Sequence, residues 1–83
     1  RGFDMVPSGH MIAVFNNDTP GMVGKVGSVL GESSVNIDEM VIGHGDNDGL
    51  AMMVIKLGTP ATGDLLASLA AIDGISKVAS TEI

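Results

Sequence analysis

The 83-residue chain has no cysteine, no tryptophan and no tyrosine, and its only aromatic side chains are Phe3 and Phe15. Without thiols there is no disulfide framework and no thiolate metal site, which suits a cytoplasmic protein. Positive charge is scarce: Arg1, Lys25, Lys56 and Lys77 stand against ten acidic residues, for a formal net charge of −6. A surface that tracks phosphates needs clustered Lys and Arg. Single-stranded binding needs aromatic platforms as well. Nucleic acid is therefore disfavoured as a partner, and the same charge balance disfavours an anionic membrane surface. No apolar run approaches the roughly 20 residues of a membrane span, and Arg1–His10 does not read as a signal peptide. The chain opens without an initiator Met, and is expected to be a piece of a longer protein whose catalytic part lies upstream.

What the chain does have is apolar. Hydrophobic residues make up 45% of it, largely Val, Ile, Leu and Ala with six Met, enough to fold rather than stay disordered. The length allows one domain with a modest core. Residues 1–9 carry Gly2, Pro7, Ser8 and Gly9 and read as a connector, or as a short edge strand around Phe3–Val6. Residues 10–83 form the domain. Met11–Phe15 suits a central strand. A helix is predicted from Pro20 to about Glu32, with Asp18 or Thr19 as its cap and Pro20 at its first position. Met22, Val23, Val26, Val29 and Leu30 form its apolar face, and Ser33-Ser34 end it. Val35–Ile42 and Leu50–Leu57 read as strands of an antiparallel hairpin across the turn formers Gly43–Gly49. A second helix is predicted from about Thr62 to Ile72, stopped by Gly74, and Ser76–Ile83 is a last strand. The order β-α-β-β-α-β is the split βαβ pattern. It implies an α+β, ferredoxin-like sandwich, in which right-handed crossovers place both helices on one face of a four-stranded antiparallel sheet. The other face lacks cover, and the continuous apolar run Leu50–Ile55 points towards self-association.

Two features stand out within this frame. Gly24, Gly27 and Gly31 share one stripe of the first helix at about 100° per residue, although each interior Gly costs about 1 kcal/mol relative to Ala. Either another helix packs closely there, or Gly31 ends the helix and the others are tolerated. The second feature is the stretch Asn16–Gly24, where a strand ends and a helix begins. A helix N-terminus offers unpaired N–H groups and partial positive charge, a seat for a carboxylate. Gly21 removes an obstructing Cβ, Asp18 can face an ammonium group, and the Asn16 amide can donate and accept. A zwitterionic amino acid needs that combination, though such a string more commonly only caps a helix.

At these residues the chain resembles the ACT domain family, small-molecule sensors attached to enzymes of amino-acid metabolism. The resemblance rests on Asp18-Thr19-Pro20-Gly21-Met22-Val23-Gly24 and Val35-Asn36-Ile37 in the β-α-β-β-α-β order, and spans about Gly9–Ile83. Thr19 stands where the usual pattern has a basic residue. Within the family, the lead-in Gly2–His10 is similar to the segment entering the C-terminal regulatory domains of D-3-phosphoglycerate dehydrogenases. The β subunits of bacterial L-serine dehydratases carry a similar domain. The resemblance implies side-by-side homodimers joined through the first helix and second strand, with an amino-acid effector, L-serine in the dehydrogenases, at the junction. It implies ligand-binding roles for Asn16, Asp18, Pro20, Gly21, Met22 and Val23 on one subunit and Asn36 on the other. Asn16 replaces a His and Asp18 an Asn of the serine-inhibited enzymes. No cofactor is expected in this domain, whereas NAD would serve an upstream dehydrogenase domain.

Other constellations are weaker. His10 and His44 have no nucleophile at a recognisable spacing, so no catalytic residue is assigned, and His44 is expected to be solvated in the hairpin loop. Asp46-Asn47-Asp48-Gly49 lacks the closing Glu of a calcium loop and reads as a turn, so no metal site is expected. Asp38 and Glu39 should point to opposite faces of a strand. The Met residues are read as core filler. An assembly module that binds nothing, and an enzyme on the same fold, are the competing functional readings; the latter would need acid pairs or an anion clamp that the chain lacks.

Overall fold

The computed structural model describes residues 5–44 and 49–83. The elements run β1 (His10–Asn17), α1 (Met22–Glu32), β2 (Ile37–His44), β3 (Leu50–Leu57), α2 (Gly63–Ala70) and β4 (Ile75–Glu82). The four strands form one sheet in the order β2-β3-β1-β4, every neighbouring pair antiparallel. This is the expected ferredoxin-like arrangement. The expected edge strand around residues 3–6 falls partly outside the described residues, and Met5 and Val6 lie in no strand. The hairpin turn, and with it Asp46-Asn47-Asp48, likewise lies outside them except at its ends.

Alternation builds the core. On β1, Ile12 and Val14 point towards the helices opposite Ile55 and Met53 of β3, and all four are fully buried. Met22, Val26 and Leu30 of α1 and Leu65 and Leu69 of α2 close over them. Their spacing of three or four residues is that of one helix face. Val23, expected on that face, is instead exposed; it sits to one side of the buried line through Met22, Val26 and Leu30.

The helix ends depart from the sequence reading in instructive ways. α1 starts two residues late, because Gly21 takes a left-handed conformation (φ 89°) and becomes the N-cap, and no side chain caps the first turn. Thr19 turns its N–H back to the Asn17 carbonyl (2.9 Å) and Asp18 is engaged elsewhere. At the other end, the Val35 N–H donates to the Leu30 carbonyl and the Ser34 N–H to that of Gly31. That is the Schellman pairing, with Ser34 (φ 58°) in the left-handed position usually given to Gly. α2 is capped by Thr62, whose hydroxyl accepts the Leu65 N–H at 3.1 Å. It ends at Ala70, so Gly74 (φ 101°) shapes the turn into β4 rather than capping the helix.

Left-handed geometry costs an L-residue roughly 1–2 kcal/mol, part of which Gly returns as chain entropy. Ser34→Gly should therefore raise unfolding stability by about 0.5–1 kcal/mol, read as a shifted urea midpoint with an unchanged slope.

Candidate functional site

The candidate site forms where β1 ends and α1 begins. Asn16 continues the inward alternation of Ile12 and Val14, so its side chain points to the helix side and is only 2% exposed. Its Nδ2 donates to the Asn17 carbonyl at 2.7 Å, and Oδ1 is buried without a hydrogen-bond partner among the described residues. The amide orientation follows from that contact, since the flipped form would set two oxygens face to face. A buried orphan acceptor costs about 1–3 kcal/mol, so Asn16 holds an unused capacity for a donor.

The strand end is also locally irregular. β1 and β4 shift register between Phe15 and Asn16, and the Ser76 hydroxyl donates to the Phe15 carbonyl at 3.1 Å. Asn17 donates its N–H to Gly74 O, and Asp18 donates its N–H to Gly49 O, each at 2.8 Å. These bonds tie the loop to two neighbouring turns. Beyond it, Gly21 carries open space where a Cβ would stand, and the uncapped first turn of α1 begins. Pro20 and Val23 are exposed there, whereas Met22 sends its side chain into the core. Only the backbone of Met22 can face a ligand.

His44 is a residue that sequence reasoning missed. It is exposed, as expected, but it is the last residue of β2 rather than a loop residue, and its Nδ1 lies 2.9 Å from Asp18 Oδ2. The pairing of β2 with β3 and of β3 with β1 brings His44, Ala51 and Asn16 into one row across the sheet. No local sequence signal announces that row, because it depends on two registers. Asp18 keeps Oδ1 clear of this contact.

Asn36 does not join the group. It precedes Ile37, which pairs with Leu57 at the other end of the sheet, and its carbonyl accepts the Gly58 N–H at 3.0 Å. About seven residues of strand, at about 3.3 Å each, separate the two ends. Asn36 of one chain thus cannot act with Asn16 and Asp18 of the same chain. Elsewhere, Glu39 pairs across the strands with Lys56 at 3.5 Å, and His10 Nδ1 meets Glu82 at 3.0 Å. No group of three or more metal-ligating side chains occurs among the described residues. None of the described helices is long and apolar enough to cross a membrane.

A four-stranded antiparallel sheet with two helices on one face, in β-α-β-β-α-β order, defines a ferredoxin-like α+β domain. The family model of the ACT domain matches residues 10–74, and the chain belongs to that family. It is 33% identical over 82 residues to D-3-phosphoglycerate dehydrogenase of Archaeoglobus fulgidus, covering 96% of this chain and 16% of the enzyme. It is 36% identical over 69 residues to the Synechocystis enzyme of the same name, covering 83% and 12%. The chain thus spans about a sixth or less of the length of these relatives. Among solved structures, the regulatory subunit of aspartate kinase from Thermus thermophilus superposes with a TM-score of 0.69 at 20% identity, covering 89% of this chain and 50% of that one. The ACT domain of a GTP pyrophosphokinase from Chlorobium tepidum gives 0.67 at 19%, covering 92% and 100%. These two likenesses concern the fold.

Replacing Asn16 by Leu removes the orphan acceptor and leaves the Asn17 carbonyl still served by the Thr19 N–H. Asn16→Leu should therefore unfold in urea within about 1 kcal/mol of the parent, a small change for a substitution at so buried a site.

Proposed function

We propose that this domain is an amino-acid sensor, with L-serine as the favoured effector, which regulates an enzyme of the D-3-phosphoglycerate dehydrogenase type in serine biosynthesis. The observation that carries the reading is the buried Asn16 Oδ1, unpartnered among the described residues, beside the start of α1, which has no side-chain cap. The ligand's ammonium or hydroxyl would donate to Asn16 Oδ1 and to the clear oxygen of Asp18. Its carboxylate would lie against the N–H groups that open α1, where the helix dipole favours negative charge. The 33% and 36% identities to D-3-phosphoglycerate dehydrogenases support the parent enzyme. An NAD-binding catalytic part belongs to that enzyme and not to these residues. The β subunit of an L-serine dehydratase is the alternative parent.

The full site requires a second copy. ACT domains generally bind amino acids and dimerise, and the surface of this chain suits a partner at β2 and α1. Nothing stands within 4 Å of a Cβ at Gly24, Gly27 or Gly31. Val23 next to them and Ile37 and Ile42 on the β2 edge strand are each about 40% exposed. A two-fold axis beside β2 would extend the sheet to eight strands and bring Asn36 of one subunit towards Asn16 and Asp18 of the other. The effector would then bridge subunits and stabilise one arrangement of the dimer by its difference in affinity for the two states.

The contact between His44 and Asp18 favours a second reading, an assembly module in which Asp18 is already occupied and no effector binds. Calorimetric titration with L-serine, then with the other amino acids, decides between them while sedimentation follows the oligomer. Saturable binding by a dimer, lost in Asp18→Ala/Asn36→Ala with the dimer intact, is the expected result. A well-folded dimer that binds no amino acid would leave the assembly module. A further variant tests the interface. In a lone chain Gly27→Leu gains about 1 kcal/mol of helix propensity and its Cβ has no described atom within 4 Å; at a close helix–helix contact the side chain would clash. The variant should melt no lower than the parent at high dilution, yet sediment as a monomer at concentrations where the parent is a dimer.

A further inference from the structure

The sheet has a second face that the helices do not cover, and burial on it is uneven. Register places Met11, Ala13 and Phe15 of β1 opposite Lys56, Val54 and Met52 of β3 on this side. Ala13, Phe15, Met52 and Val54 are half-buried, as expected for the middle of an open sheet. Met11 is buried to 9% exposure although it lies nearer the end of its strand. Met5 is buried as well, at 7%, and neither methionine is part of the cluster of Ile12, Val14, Leu30, Met53, Leu65 and Leu69 on the helix side. Gly9 supplies the geometry for a reversal between them. Its φ of +72° is left-handed, and it exchanges two backbone hydrogen bonds with Ile83, each 3.0 Å, which root it at the end of β4.

We propose that residues 5–9 form a strap that folds back over the helix-free face and seats the Met5 thioether chain on Met11. Met5 is the key of this contact, since Val6 beside it is 69% exposed. A flexible, polarizable Met suits such a seat on an irregular surface. Burial of the Met5 side chain removes its apolar surface from water and adds to the two Gly9–Ile83 bonds in ordering the short segment. Residues 5–9 are then packed against the sheet without joining it as a strand, and are not a slack connector. The proposal is independent of any ligand at the candidate site.

Two measurements on the 83-residue chain test it. With methyl-labelled methionine, nuclear Overhauser contacts are expected between the Met5 and Met11 methyl groups and from Met5 to Val54; contacts from Met5 to Leu65 or Leu69 instead would overturn the strap. In peroxide footprinting, one oxygen passes to each accessible thioether, giving the sulfoxide and water. Met5 and Met11 should both react severalfold more slowly than in the urea-unfolded chain. In Met5→Ser the rate at Met11 should rise severalfold while Met22 and Met53, in the helix-side core, stay slow; in Met5→Leu the protection should return. A Met11 rate untouched by Met5→Ser, or a Met5 that reacts as in the unfolded chain, would refute the seat.

Discussion

β1 is paired with β3 along its whole length and with β4 from His10 to Asn16, and the rest of the structure depends on its alternation. Its inward residues are Ile12, Val14 and Asn16. The first two anchor the core on which both helices rest. The third obeys the same geometric rule and carries an amide into a place where apolar packing would have been more stable. A period of two leaves no alternative: once Ile12 and Val14 face the helices, Asn16 must follow. Structure and candidate site are thus consequences of one register. The unsatisfied oxygen is tolerated because its cost of about 1–3 kcal/mol is small beside the burial of the neighbouring strand and helix residues.

The β2 side of the domain exposes apolar groups. An edge strand bearing half-exposed isoleucines, and a helix flank of glycines with nothing against them, are surfaces that a small monomer usually protects. The glycines weaken α1 by intrinsic propensity, and the single chain returns nothing for that weakening. The two ends of the sheet also carry different halves of the polar set, with Asn16, Asp18 and His44 at one and Asn36 at the other. The partner subunit proposed above would reconcile both observations with a single symmetry axis.

The order of elements was legible because each one has a strong local signal. Leu50–Leu57 is bounded by turn formers and appears with the expected ends, and Thr62 caps α2 by its own hydroxyl. The start of α1 was misplaced because Asp18, Thr19 and Pro20 all look like cap residues locally. Asp18 found a long-range partner in His44, and Gly21 took the left-handed cap that only Gly adopts without strain. Val23 was misassigned because the helical period places it near the apolar face, but it lies beside the line of Met22, Val26 and Leu30 that enters the core.

By itself the sequence determined the class of fold, the family and the loop between β1 and α1 as the place to look. Those depend on periodicity, turn chemistry and a short residue string, all local in the chain. Only the tertiary structure decided that Asn16 is buried with a free acceptor, that His44 reaches Asp18 across 26 residues of chain, and that Asn36 lies at the opposite end of the sheet. Each of these depends on which strands pair and in what register, and a one-residue slip would reverse every side chain involved. That information belongs to the packed sheet, where the burial of many apolar groups selects one register.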